Sequence, residues 1–390
     1  MEPTIHTVPE EFTDFSLPLP VCLLGEEQHL LGLGSVLLAI TRRARMQVRE
    51  QAVPEFEIDI PDTPDNASEE ALRLKRRWQK LLGEYVLHGP AELEGLTVTF
   101  ESGFLKEGES AARILSSPHF AVALLCAALA HRTSETDIPA GDIARETCGL
   151  LGQLDGVRRH SAARAYARAI MCLRGGARFV ECGGGTINVQ QMIPPESLIL
   201  VGPGETEPCT SGQTSFEQVP KALEKMGADA ADLVASSDEE LGEFFQLASD
   251  HLDDDETMAV YGLLRIHQLI MSFLENLSDD FKDHDVLAER CDEESDILER
   301  YFGFTSKSYE GMREKASQGG ALGIKATFGP AGYLSMLVMA PDRRDSVLDL
   351  LRNEYPKTAV VPVDIDSTGI HSEDQRAEEE PEESDRVTMD

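Results

Sequence analysis

The sequence predicts two α+β domains followed by an acidic tail, and three observations carry this. First, 390 residues exceed what a single hydrophobic core ordinarily supports. Second, apolar residues at helical spacing alternate with short strand-like runs, with no internal repeat. Third, the closing stretch SEDQRAEEEPEESDRVTMD is acidic and lacks large apolar side chains until its final few residues, which predicts disorder. The expected boundaries are residues 1–190, 191–370 and 371–390.

The elements follow in order. Residues 17–24 and 36–46 read as strands joined through the polar segment GEEQH, and LTVTFE at 96–101 is a further short strand. Between them, residues 69–87 carry Leu, Lys and Arg at helical spacing and predict a surface helix. The clearest helix is LSSPHFAVALLCAALAHR. Ser116 or Ser117 is a natural N-cap there, Pro118 suits the first helical position, and the apolar body predicts a buried, central helix. Residues 140–173 read as mostly helical with breaks at Gly149, Gly152 and Gly156. Strands at 177–181 and 197–201 then flank the loop GGGTINVQQMIPP, where the domain boundary is expected. Helices follow at 219–226, 238–248, 257–277 and 285–302. A Gly-rich stretch, a strand at 333–339, a helix at 343–355 and a strand at 359–363 close the fold.

Composition narrows the function. A formal net charge of −35 argues against nucleic acid or an anionic membrane as partner. No window approaches the roughly 18 uninterrupted apolar residues of a membrane span. The start, MEPTIHTVPEEFTDF, has neither a basic nor an apolar leader region, so a cytoplasmic protein is expected. The 7 cysteines are scattered without a CxxC pair and read as reduced, mostly buried thiols. With 10 Lys and 25 Arg, the acidic, lysine-poor balance suits solvation in high salt, as it suits any acidic proteome. Residues 227–262 hold 11 Asp and Glu and no Lys or Arg. They lack the D-x-D-x-D-G loop of a calcium site and read as a solvated face.

Several chemical signatures are absent. There is no Walker A loop, no complete GxGxxG and no HExxH, and His119, His131, His160, His251 and His267 stand isolated. What remains is an ordered trio: GEEQHLLGL near the start, the helix opened by LSSP, and GGALGIKATFGPAG late in the chain. Together with an A-x-E segment (Ala144, Glu146) and the ending VVPVDIDSTGIH, the trio resembles the GHMP kinases, especially the galactokinase-like branch, over residues 17–370. The resemblance implies an N-terminal α/β domain of ribosomal-protein-S5-like type and a C-terminal ferredoxin-like α+β domain. It further implies ATP, Mg2+ and a small alcohol or sugar substrate in the cleft between them.

Against the family's first motif, APGRVNLIGEHTDYNGG, this chain has LPLPVCLLGEEQHLLGL. Pro18, Val21, Leu23, Gly25, Glu26 and Gly32 agree. Pro20 replaces an arginine, and His29 replaces the aspartate that grips sugar hydroxyls, so the resemblance makes Glu26 and His29 substrate-binding residues of altered specificity. The second motif implies ATP phosphates at Ser116 and Ser117, with Ser117 also toward magnesium and Arg113 supplying charge where glycines are missing. For the third element, Glu146 falls at the magnesium-linked glutamate. GQLD puts Asp155 at the catalytic base, whereas matching back from GGARFVEC puts Arg168 there, and both alignments remain open. In the last motif Gly323, Lys325, Thr327, Gly329 and Gly332 keep the frame, the last two as phosphate-side glycines, while Pro330 and Tyr333 interrupt it. Two functions follow: a divergent ATP-dependent small-molecule kinase, or a pseudokinase that keeps the cleft to bind a ligand or protein.

Overall fold

The computed structural model describes residues 13–50, 56–61, 63, 65–85, 96–101, 110–132, 140–154, 162–183, 186–192, 197–202, 210–227, 238–275, 284–304, 307–328 and 334–372. Two sheets organise it. The first is built from β1 (Thr13–Leu24), β2 (Ser35–Glu50), β3 (Glu57–Asp59), α1 (Glu69–Tyr85), β4 (Leu96–Glu101), α2 (Ala111–Leu115), α3 (Pro118–Arg132), α4 (Ala140–Gln153), α5 (Ala162–Arg174), β5 (Ala177–Gly183) and β6 (Thr186–Met192). β2 is the spine of this sheet. One edge pairs with β1 along its length, and the other pairs first with β5 and then with β4. β3 runs parallel to β4 at the rim.

The apolar reading of α3 holds. The helix starts at Pro118, Ser117 Oγ accepts from Phe120 N–H at 3.2 Å, and Phe120 packs edge-on against Trp78 and Phe100. Three expectations need correction. α4 runs unbroken through Gly149 and Gly152, because glycine in a packed amphipathic helix costs only about 1 kcal/mol relative to alanine. The segment expected to be a loop carries β6, which forms a hairpin with β5 in register from Ala177↔Met192 to Gly183↔Thr186. The segment RRHSAARAYARA, whose arginines read as a solvated, basic face, buries Ala165, Tyr166, Ala167, Arg168 and Ala169 within α5.

The second sheet takes β7 (Leu198–Val201), then the helices α6 (Thr210–Met226), α7 (Asp238–Ser249), α8 (Asp254–Glu275), α9 (His284–Phe302) and α10 (Lys307–Gly319). It continues with β8 (Gly323–Phe328), β9 (Leu334–Met339), α11 (Arg344–Glu354) and β10 (Val360–Val363). The strand order β10-β7-β9-β8, antiparallel throughout, is the split β-α-β-β-α-β arrangement expected of a ferredoxin-like domain. α8 is the one described helix long and apolar enough to cross a membrane. It is a core helix here, with Leu263, Leu264, Ile266 and Ile270 fully enclosed.

The chain then returns to the first sheet. Ile365 bridges to Ile40, and β11 (His371–Ser372) pairs with β1 at Phe15 and Ser16. The segment expected to be tail from residue 371 therefore begins inside a sheet. Arg43 fastens this return by bonding Ser16 and the Asp366 carboxylate. Most buried apolar side chains, from both sheets, form one contiguous core, and Cys22, Leu37, Ala39, Ala167, Met171 and Val180 form a smaller cluster apart from it. The acidic run is solvated at Glu239, Glu240 and Glu243 of α7, but Glu256 is buried, paired with Lys225 and capping Asp253 N–H.

Candidate functional site

The polar segment after β1 is a pocket and not a surface turn. Gly25 has φ +89°, and a Cβ there would lie 2.7 Å from Ile270 Cδ1 and 3.0 Å from the Ser35 backbone, so glycine is the residue that fits. Glu27 also sits in the left-handed region at φ 61°, a strained state for a side-chain-bearing residue. The tertiary structure holds the turn in place. Ser35 Oγ donates to Gly25 O at 2.7 Å, and Gln28 Nε2 donates to Leu263 O on α8 at 2.8 Å. The Glu294 carboxylate from α9 accepts Gly25 N–H at 3.0 Å and Glu26 N–H at 2.8 Å.

Around this turn the two halves of the chain share buried charges. Lys325, 0% exposed on β8, places Nζ 3.3 Å from Glu26 Oε2 and 3.3 Å from Glu294 Oε1. Thr327 Oγ1 donates to the same Glu26 oxygen at 3.2 Å. Burial works against the Lys325 ammonium, but the surrounding Cys22, Glu294 and Glu26 more than offset it and hold its pKa above the ordinary lysine value. Burial raises the pKa of Glu294, opposed by Lys325 and the Gly25 and Glu26 amides.

On the other side of the turn, Arg164 of α5 meets the Glu27 carboxylate at 2.6 Å, and His29 Nε2 lies 3.2 Å from it. His29 is held well below its usual pKa by burial and by the Arg164 and Arg168 guanidiniums. The imidazole is therefore neutral, with Nε2 facing the Glu27 carboxylate. Arg168, 6% exposed, is lowered to about 10 by burial and by Arg164, with Glu26 and Glu27 opposing, and stays charged at neutral pH. These groups line a half-open cavity of about 30 Å³, room for two or three waters on the measure that needs roughly 10–15 Å³ for one. Glu26, Glu27, His29, Arg164 and Arg168 line it with polar groups, and Leu33, Leu37, Ala167 and Val180 with apolar ones.

Glu26 and His29, expected at a substrate site, thus line the same cavity. Of the two candidates for the base position, Arg168 enters the cavity, whereas Asp155 lies outside the described residues, as do Gly329 and Gly332. Glu146 is half-buried on α4, Arg113 is exposed on α2, and neither lines the cavity.

The phosphate expectation at Ser116 and Ser117 does not fit the geometry. Where the family motif needs an open glycine-rich loop, Ser110 caps the short helix α2 by accepting Arg113 N–H. Ser116 N–H donates to Ala112 O and Arg113 O at 3.2 Å, and Ser117 N–H donates to Ile114 O at 2.9 Å. The hydroxyls are also engaged, Ser116 with Ala112 O and Ser117 with Ile114 O. Pro118 has no N–H, and Ser117 takes those of Phe120 and Ala121. A phosphate binds a helix start through free N–H groups, and here the chain itself engages those of Ser116, Ser117, Phe120 and Ala121. Nor do the described His, Cys, Asp and Glu side chains form a cluster suited to a metal ion.

Glu27, Arg164, Glu294 and Lys325 were not singled out as site residues from the sequence. The i, i+4 spacing of Arg164 and Arg168 among alanines was the available signal for one helix face. Glu294 gave none, since in EESD it looks like any surface acid.

This two-sheet architecture, with the GEE turn wedged between them, is the GHMP-kinase fold. Among solved structures, the chain superposes on Lactococcus lactis galactokinase complexed with galactose at a TM-score of 0.65 and 14% identity, covering 93% of this chain and 95% of that one. L. major mevalonate kinase in complex with R-mevalonate matches at 0.61 and 15%, covering 95% and 100%. Cytophaga hutchinsonii homoserine kinase matches at 0.51 and 13%, covering 95% and 99%. No family profile matches the sequence, and no curated protein matches it.

Proposed function

We propose that this chain is a GHMP-fold pseudokinase, a protein that binds a small molecule in the cavity beside Gly25–His29 and transfers no phosphoryl group. The observation that carries this is the start of α3, where α2 and Ser117 engage the N–H groups of Ser116, Ser117 and Phe120 on which an ATP phosphate would draw. Arg168 in the cavity supports it, because a guanidinium at neutral pH cannot accept a proton from an alcohol. Glu26, engaged by Lys325 and Thr327, is a fixed acceptor facing the cavity and not a mobile base.

A second reading, an ATP- and Mg2+-dependent kinase for a sugar or other small alcohol, is favoured by near-complete superposition on kinases of that kind. The two separate in one experiment. A ligand that binds the folded state raises its melting midpoint, by about 2.7 kcal/mol of stabilisation at a hundredfold excess over Kd. We expect no shift at millimolar MgATP and no ADP release with galactose, mevalonate or homoserine. A magnesium-dependent rise with acceptor-dependent ADP release would establish the kinase.

A further inference from the structure

We infer that the outer surface of α7 and the start of α8 is a docking site for another protein, and that its occupant is an amphipathic helical segment bearing lysine or arginine beside an apolar face. The patch stands apart from the cavity, which none of its residues lines. Among the described residues five large hydrophobics are exposed, and three of them lie here: Phe245 at 41%, Leu247 at 51% and Met258 at 37%. Single exposed apolar residues are ordinary on a protein surface, whereas a connected group marks an interaction site. Aromatic rings connect this one. Phe245 packs edge-on against the half-buried Tyr261, and Tyr261 edge-on against the half-buried Tyr301 of α9, each pair 5.6 Å apart between centroids. Met258 stands one turn before Tyr261 on the same side of α8. One turn to either side of Phe245 on α7 are Gly242 and Ser249, so no long side chain shields the ring. A Cβ at Gly242 would meet nothing within 4 Å.

Charge selects the partner. Helical spacing sets the exposed Glu239, Glu243 and Asp250 along the outer crest of α7, with Phe245 on one flank and Leu247 on the other. The exposed Asp254 and Asp255 lie one turn before Met258 on α8. The apolar row therefore runs between two acidic borders, and residues 227–262 contribute no Lys or Arg to offset them. Arg265, on the same face of α8, is already paired with Asp238. A helix laid on the row buries its apolar side chains against the rings while its cations reach the borders, a pairing that fixes register and speeds encounter. A second copy laid patch to patch would set the acids against one another, which opposes association. The exposed basic side chains of α1, Arg73, Arg76 and Lys80, are this chain's own candidate for the place, so self-association enters the test.

The test is fluorescence anisotropy of the whole chain, without nucleotide, against a labelled amphipathic peptide of leucine and lysine, about 15 residues long so that it can form a helix. Three controls accompany it: the same composition scrambled to remove the apolar face, leucine replaced by serine, and lysine replaced by glutamate. We expect saturable binding of the amphipathic peptide, at least about tenfold tighter than that of any control, and weakened by added salt. Phe245→Ser with Met258→Ser should lower its affinity at least about tenfold, as should Asp254→Asn with Asp255→Asn, the pair to read if the first does not fold. Absence of saturable binding overturns the assignment, as does a scrambled or leucine-free peptide binding as tightly, or unchanged affinity in the folded variants. Sedimentation of the unlabelled chain supplies the last outcome. Concentration-dependent self-association lost both in Phe245→Ser with Met258→Ser and in Arg73→Glu with Arg76→Glu would assign the patch to a second copy and overturn the proposal.

Discussion

Lys325 is the residue on which the site's geometry depends. Its ammonium is enclosed between Glu26 of the first-sheet turn and Glu294 of α9, and Cys22 O accepts from it at 3.4 Å. Replacing it with methionine keeps most of the volume and strands two carboxylates, and breaking a buried pair in this way costs about 3–5 kcal/mol. Lys325→Met is therefore expected to lose stability on that order in urea unfolding, with partial recovery when Glu294→Gln is added. A loss within about 0.5 kcal/mol, ordinary for surface positions, would remove the charge network from the account of the fold. Lys325 was legible as part of a motif frame, and its buried partners were not. Glu294 lies 269 residues from Gly25 along the chain, and no local pattern encodes a contact at that distance.

At the scale of elements, local chemistry and packing part company in the helices. α3 followed from its cap and apolar body, because Ser117, Pro118 and the alanine-leucine run act within one or two turns. α4 did not, because its glycines read as breaks. A Cβ at Gly149 would meet nothing within 4 Å, so the position tolerates a side chain and only the conformational entropy of glycine is at stake. Gly149→Ala should stabilise the protein by about 1 kcal/mol, read as a raised melting midpoint. A lowered midpoint would mean that the exposed face of α4 serves a contact. β6 was missed for a related reason. TINVQQM alternates only weakly and sits between a glycine run and a proline pair, so its strand character comes from pairing with β5.

At the scale of the whole molecule, the buried histidines set an acid limit. His119 is lowered to about 3 by burial and by Arg168, and burial also lowers His267 and His29. In the unfolded chain each takes up a proton near pH 6.5. Below that pH the unfolded state binds protons that the native state refuses, so stability falls as pH falls, by up to roughly 1.4 kcal/mol per pH unit for each histidine. Glu294, with a raised pKa, acts oppositely: its contribution is present below the unfolded carboxylate value and is lost as pH rises through its folded value. Urea unfolding at pH 7 and pH 5.5 should show a marked loss of stability at the lower pH, with a shallower slope in His119→Gln. An unchanged slope in that variant would mean His119 is protonated in the fold.

By itself the sequence determined most of the longer elements, the α+β class, the capped central helix and a polar turn out of keeping with its apolar flanks. These rest on interactions within a few residues, which periodicity, caps and glycine positions record directly. Only the tertiary structure decided what that turn became. It brought Arg164 and Arg168 from α5, Glu294 from α9 and Lys325 from β8 around the turn Gly25–His29, and it folded α2 over donors at the start of α3. The physical reason is that burial and charge pairing depend on which distant segments meet.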